Sequence, residues 1–263
     1  MASSWSGVAD AYARSFARLC VGTVEPILSA LEERTAPSKR LLDVGTGTGT
    51  VAGAAAKLGF QVEGVDPEKD MLDYARHAHP QIAFVPGELP NLPYAGGTFA
   101  AATANFVINH TADPRASVRE VIRVLAPGAP AVITIWPSSM SSMNVLWNDV
   151  IEQSEAVRPD GLRLPPEKDF ERSVDGLQVL MAECGFVSVI AHEVSWSFDI
   201  TPADLWQSVV AGIAVLGTTY KAQERDTQLR MEDTFIRLTS QLETKGELHL
   251  PSKAILSVGQ RPA

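Results

Sequence analysis

The stretch Leu41–Ala52, LLDVGTGTGTVA, decides the fold. An apolar run carries Asp43 near its end, and glycine then occupies every second position at Gly45, Gly47 and Gly49. The run RLLDV has the composition of a short buried strand, and TVAGAAAKLG that of a helix, so the glycines form the turn between them. A charge at Asp43, inside an apolar strand end, is costly unless something pairs with it. The string contains a weak dinucleotide-type match, Gly47-x-Gly49-x-x-Ala52, which alone carries little weight. Two details turn the reading away from it: the turn starts at Gly45 rather than Gly47, and Thr50 stands where a third glycine would fall when counting from Gly45. A carboxylate at the strand tip, beside the N–H groups of a glycine turn, suits an ammonium-bearing ligand better than a pyrophosphate.

The same alternation runs outward from Arg40 to Trp136. Strand-like RLLDV, QVEGV, IAFV, AAATANFVI and AVITIW are separated by TVAGAAAKLG, EKDMLDYARHA, a loop, and ASVREVIRVL. Strands alternating with helices of about ten residues predict βαβ units and a parallel sheet. Ahead of this region, Val8, Tyr12, Phe16 and Leu19 recur at helical spacing, and a second helix covers Val24–Glu33. Beyond Trp136 the pattern changes. Residues 137–172 are punctuated by Pro137, Pro159, Pro165 and Pro166 and read as an insertion. Val174–Cys184 reads as a helix closed by Gly185, and Phe186–Phe198 as a long alternating strand. Thr201-Pro202 is a cap and first turn, and helix continues to about Lys245 with a break near Gly217. The tail KAILSVGQ is β-type. The expectation is a mixed sheet of seven strands with two helical inserts.

A chain of 263 residues, 45% of them hydrophobic, can bury a full-sized core. Its net charge of −9 and lack of a basic run argue against nucleic acid as partner. The start MASSWSGVADAYARSF lacks a basic segment followed by an apolar core, so it does not read as a signal peptide. No apolar run approaches the roughly 20 residues that span a bilayer, which excludes a membrane partner. Cys20 and Cys184 form no CxxC and read as buried thiols of a cytoplasmic protein. His77 and His79 precede Pro80 without an acid or cysteine cluster, which indicates exposed residues at a helix end and no metal site. Trp136, Trp147, Trp196 and Trp206 are dense in the inserts, as interior packing or as a lid that sandwiches a planar or apolar substrate. The run Val209–Gly217 reads as buried helix or homo-oligomer contact.

D-V-G-T-G-T-G resembles motif I of the class I S-adenosylmethionine-dependent methyltransferases, in their small-molecule branch, and downstream segments agree in order. In GVDPEKDMLDYAR, Asp66 resembles the acid that accepts both ribose hydroxyls, and Met71 the residue packed on adenine. In VPGELPNLPYAGGTFA, Gly87-Glu88 resembles the pair whose acid takes the adenine amino group. In ANFVINHTADP, Asn105 falls where the family closes its fourth strand beside the methyl donor, and His110 matches a histidine common after it. EVIRVLAPGA resembles the helix and turn before strand five. The sequence departs from the family pattern at Glu88 for aspartate, where the longer arm shifts the adenine contact, at Ala100 for an aspartate and at Ala129 for a glycine; none of these departures removes an obvious ligand.

The resemblance covers about Arg40–Trp136 and implies an α/β fold: a Rossmann-like, seven-stranded, mostly parallel sheet with helices on both faces, N-terminal helices and helical lid insertions. It implies one domain over 1–263, with an N-terminal helical lid at 1–36, a cofactor-binding core at 40–136 and substrate caps at 137–172 and 201–245. S-adenosyl-L-methionine is the implied cofactor, held by Asp43, Gly45, Thr46, Gly47, Gly49, Asp66, Pro67, Met71, Gly87, Glu88, Leu89 and Asn105. His110 is the candidate base, with Tyr12 and Asn105 lining the transfer site. The implied reaction is methyl transfer to oxygen or nitrogen of a small-molecule acceptor, a secondary metabolite. C-methylation of a quinone-like ring, and a cofactor-binding cyclase or eliminase that transfers no methyl, remain open beside it.

Overall fold

The computed structural model describes residues 6–35, 39–159 and 164–263. In chain order the elements begin with helices α1 (Ala9–Arg14), α2 (Phe16–Cys20) and α3 (Val24–Glu32). The alternating region follows: β1 (Arg40–Val44), α4 (Thr50–Lys57), β2 (Gln61–Asp66), α5 (Lys69–Ala78), β3 (Ala83–Pro86), β4 (Ala101–Asn105), α6 (Pro114–Val124) and β5 (Pro130–Ile135). The remainder comprises α7 (Ser142–Gln153), α8 (Val174–Glu183), β6 (Val187–Ile200), α9 (Pro202–Ala211), α10 (Ala214–Lys221), α11 (Arg225–Leu242) and β7 (Leu248–Gln260).

The strands form one seven-stranded sheet in the order β3-β2-β1-β4-β5-β7-β6. β1 pairs in parallel with β2 and β4, β2 with β3, and β4 with β5, while β7 runs antiparallel to β5. Chain order reverses between β1 and β4, and open α/β sheets bind ligands at the carboxyl ends of the strands on either side of such a reversal. β1 is buried on both faces from Leu41 onward, as a central parallel strand must be.

The chain divides into two compact units. One comprises residues 23–138, 164–194 and 253–263 and contains the whole alternating region. Its cores pack Leu42, Val44, Phe99, Ile133 and Leu177 in one cluster and Ile27, Leu31, Leu41 and Val132 in another. The other comprises residues 1–22, 139–163 and 195–252. Its interior holds Trp206 stacked on Phe235 at 4.8 Å between ring centroids, with Trp147 on Phe235 at 5.8 Å and Tyr220 edge-on to Trp206 at 5.5 Å.

Several elements differ from the sequence reading. The N-terminal stripe is two short helices, broken at Ser15, whose hydroxyl donates to the Ala11 carbonyl. The insertion at 137–172 is divided: residues 139–163 belong to one unit and 164–172 to the other, where Phe170 joins the core. The break in the late helical region falls at Gly212, in the left-handed conformation that ends α9, and not at Gly217. Gly217 sits inside α10, where a Cβ would lie 2.4 Å from the Gly212 backbone, so glycine there serves close approach rather than helix termination. Residues 1–5, 36 and 160–163 of the expected lid and cap lie outside the described residues.

Candidate cofactor site

The site is built on the turn between β1 and α4. Gly45, Gly47 and Gly49 all have positive φ, at 61°, 53° and 82°, so the alternation of glycines is an alternation of left-handed residues. At Gly45 a second constraint acts, because a Cβ would lie 2.4 Å from Cγ2 of Val107. The turn is tied to β2 by the Thr46 amide, which donates to the Val65 carbonyl at 3.0 Å, and Gly49 leads directly into α4.

Asp43 is the internal fastener of this turn. Its Oδ2 accepts the Thr46 hydroxyl and its Oδ1 the Thr103 hydroxyl, both at 2.7 Å, and the Ala52 amide in the first turn of α4 donates to it as well. One carboxylate thus joins β1, the glycine turn, β4 and α4. It is only 2% exposed, and burial, outweighing these hydrogen bonds, pushes its carboxyl up to about 6. Hydrogen-bond donors from within the protein thus meet the carboxylate beside the turn at which the sequence suggested a ligand ammonium.

Asp66, at the tip of β2, faces the same turn. Its Oδ2 accepts the Gly47 amide and its Oδ1 the Glu68 amide, each at 2.9 Å. Burial pushes its carboxyl up to about 6 against those two bonds, with repulsion from Glu68 and Asp43 adding to the rise. A carboxylate has about four acceptor positions, so two remain for donors such as a vicinal pair of hydroxyls. Gly87 donates to the Asp66 carbonyl at 3.2 Å and holds the end of β3 alongside. Met71 is buried on α5; Leu89 is half-buried, and Pro67 and Glu88 are exposed.

At the end of β4, Asn105 Oδ1 accepts the hydroxyls of Thr23 at 2.8 Å and Thr134 at 2.5 Å. Phe106 follows at φ 58°, an unfavourable conformation for a bulky residue, and stacks on Trp136 at 3.7 Å between centroids. Asn109 bridges to the Trp136 backbone, accepting its amide at 2.8 Å. His110 ends the following 3₁₀ turn. Desolvation first, then the positive charge of Arg172, hold its imidazole down to about 4, although the residue as a whole is exposed. It is neutral at pH 7 and so in the proton-accepting form.

The structure brings Asp43, Gly45, Thr46, Gly47, Gly49, Asp66, Pro67, Met71, Gly87, Glu88, Leu89, Asn105 and His110 into one unit, around the β1–β4 reversal. Tyr12 belongs to the other unit, half-buried, with its hydroxyl 3.8 Å from the Cys20 sulfur. Trp147 and Trp206 are interior residues of that unit, so packing accounts for them without a substrate. His79 is not exposed as expected but partly buried against α4. Thr103 and Thr134 escaped the sequence reading. Their only local signal was a hydroxyl inside otherwise apolar strands. No group of three or more potential metal ligands occurs among the described residues, and no described helix is long and apolar enough to cross a membrane. A recess of about 440 Å³ lined by Arg40, Phe60, Gln61 and Glu63 shares no residue with this constellation.

A glycine turn from β1 into a helix, an acid at the tip of β2 and a strand-order reversal beside them are the arrangement found in nucleotide-binding α/β folds. Residues 42–133 match a family described as "Methyltransferase domain". A demethylmenaquinone methyltransferase of Renibacterium salmoninarum is 34% identical over 97 residues, 37% of this chain and 41% of that protein. The chain spans less than half the length of the first curated relatives it matches. Among solved structures, the YcgJ protein of Bacillus subtilis superimposes with a TM-score of 0.57 at 19% identity, over 92% of this chain and 98% of that one. Phosphoethanolamine N-methyltransferase 2 of Haemonchus contortus, solved with S-adenosylhomocysteine, gives 0.53 at 18% identity, over 90% and 52%. Residues 42–133 form a class I S-adenosylmethionine-dependent methyltransferase domain.

Proposed function

We propose that the protein transfers a methyl group from S-adenosylmethionine to oxygen or nitrogen of a small-molecule acceptor. The observation that carries this reading is the Asp66 carboxylate, which already holds the glycine turn through Gly47 and keeps acceptor capacity for ribose hydroxyls at the strand-order reversal. The buried cradle fits the cofactor: Gly45 removes the side chain that would collide with Val107, and Asp43 fixes the turn from below. In this reading Asp66 binds the ribose, Glu88 and Met71 flank the adenine, and Gly45–Gly49 accommodate the amino-acid end.

When bound, the sulfonium cofactor supplies an activated methyl group, and the remaining tasks fall to the protein. The acceptor must be held with its nucleophilic atom about 3 Å from the methyl carbon and in line with the breaking bond. A hydroxyl or ammonium acceptor must also lose a proton, and the neutral His110 imidazole is the candidate to take it.

Similarity to the demethylmenaquinone methyltransferase favours a second reading, in which the acceptor is a ring carbon of a quinone-like compound. Trp136, half-buried and stacked on the buried Phe106 near the end of β4, gives that reading an aromatic ring. Calorimetry with S-adenosylhomocysteine tests the cofactor. Mass spectrometry after incubation with methyl-labelled cofactor and hydroxylated, amino and quinol acceptors then tests the reaction. Label in the product with release of S-adenosylhomocysteine supports methyl transfer. Product formed without consumption of cofactor would point to a cyclase or eliminase, and absence of binding would overturn the proposal.

A further inference from the structure

The pair His77-x-His79 has no part in the function above, yet the structure gives His79 a specific place. After α5 ends, the chain bends so that the His79 amide donates to the Ala75 carbonyl at 2.8 Å, and the imidazole lies against the first turns of α4. A Cβ on Gly53 would lie 2.3 Å from Cε1, 2.6 Å from Nε2 and 2.8 Å from Nδ1 of that ring. A Cβ on Gly49, the residue that ends the cofactor turn, would lie 3.0 Å from Cδ2. The ring thus fills the notch left by two glycines one helical turn apart. Among the described residues it makes no hydrogen bond, so its contribution here is shape. Desolvation, with Lys57 second, holds its pKa below the ordinary value, and the ring in the notch at pH 7 is neutral.

Gly53 makes the arrangement conspicuous. Glycine inside a helix is less favourable than alanine, so a helix with room for a methyl group gains by the exchange. Here that room is occupied by His79, behind the segment whose Gly47 amide is held by Asp66.

We propose that His79 is a positioning residue for the cofactor turn, its ring buttressing Gly49 and Gly53 from behind so that the turn keeps its ligand-ready shape. The proposal rests on the cofactor reading given above. The test is a double-mutant cycle on the full chain, with dissociation constants for S-adenosylhomocysteine measured by calorimetry at 25 °C beside melting temperatures. Gly53→Ala should weaken binding about tenfold, the size of coupling expected for residues in contact. His79→Ala should weaken it several-fold. Gly53→Ala added to His79→Ala should change binding by less than twofold, because the vacated notch accepts the methyl group. If Gly53→Ala alone does not fold, the double variant should still fold and bind like His79→Ala, and its failure to do so would overturn the proposal. A purely structural role lowers melting temperature while leaving affinity unchanged, and that result, or losses that simply multiply in the double variant, would also overturn it. Failure of the wild-type chain to bind S-adenosylhomocysteine would remove the cofactor reading itself. Normal wild-type binding with an unaffected Gly53→Ala variant would remove only the buttress.

Discussion

Replacing Asp66 by asparagine tests the centre of the proposed site. The substitution keeps the shape of the side chain but removes its charge and turns one of two acceptor atoms into a donor. In the structure both oxygens accept backbone amides, from Gly47 and Glu68. The variant therefore leaves one amide facing an NH₂ group, and the ribose hydroxyls lose an ionised acceptor. Hydrogen bonds to charged groups contribute about 1.5–3 kcal/mol, so affinity for S-adenosylhomocysteine at pH 7.5 should fall roughly 10- to 150-fold. The pH profile gives an independent signature. A ligand that donates to the carboxylate binds its ionised form, and that form is lost as pH falls through about 6. Wild-type affinity due to Asp66 should then be about tenfold weaker at pH 5 than at pH 7.5, and the variant should lose this dependence. Calorimetry at both pH values, with circular dichroism to check the fold, reads both effects. A variant that binds as wild type at pH 7.5, or that keeps the full pH dependence, would refute the assignment of Asp66 to the ribose.

Three further outcomes follow from the same geometry. Gly45→Ala should destabilise the fold by about 2–4 kcal/mol, from left-handed strain plus the collision with Val107, and Val107→Ala in the same chain should recover part of the loss in urea denaturation. Thr103→Val removes a donor from Asp43 and should cost about 1.5–3 kcal/mol at pH 7.5. The folded-state carboxyl of Asp43 lies above its unfolded value, so the native state takes up the proton first. The penalty for its buried charge is fully present above about 6 and is relieved as pH falls towards 4, and Thr103→Val should move this window upward in denaturation curves. His110→Gln should lower kcat about 100-fold or more if the imidazole takes the acceptor proton, leaving S-adenosylhomocysteine affinity unchanged; unaltered turnover would exclude it as base.

Much of this protein was legible locally. The edges of β1, the cap at Thr201 followed by Pro202, the closure of α8 at Gly185 and the turn from Gly45 to Gly49 are each specified by a few neighbouring residues. Periodicity, caps and left-handed glycines act over one or two helical turns, and a sequence displays them directly. The ordered motifs on those elements identified the methyltransferase class for the same reason.

The partners of the motif residues were another matter. Asp43 needed a partner on any reading of the chain, but Thr103 supplies one only because β4 lies next to β1, with Asp43 and Thr103 in register. His79 looked like a solvated helix end until α4 and α5 came together, with Gly53 making room for the ring. Gly217 looked like a helix breaker, yet the approach of the Gly212 backbone makes it a packing glycine. Trp147 and Trp206 looked equally suited to a substrate and to a core, and the stacking of both on Phe235 assigned them to the core. The sequence by itself determined where elements begin, end and turn, because those choices depend on residues close along the chain. Only the tertiary structure decided which buried polar group is paired and which glycine is crowded, because strand order and helix packing bring together residues far apart in sequence.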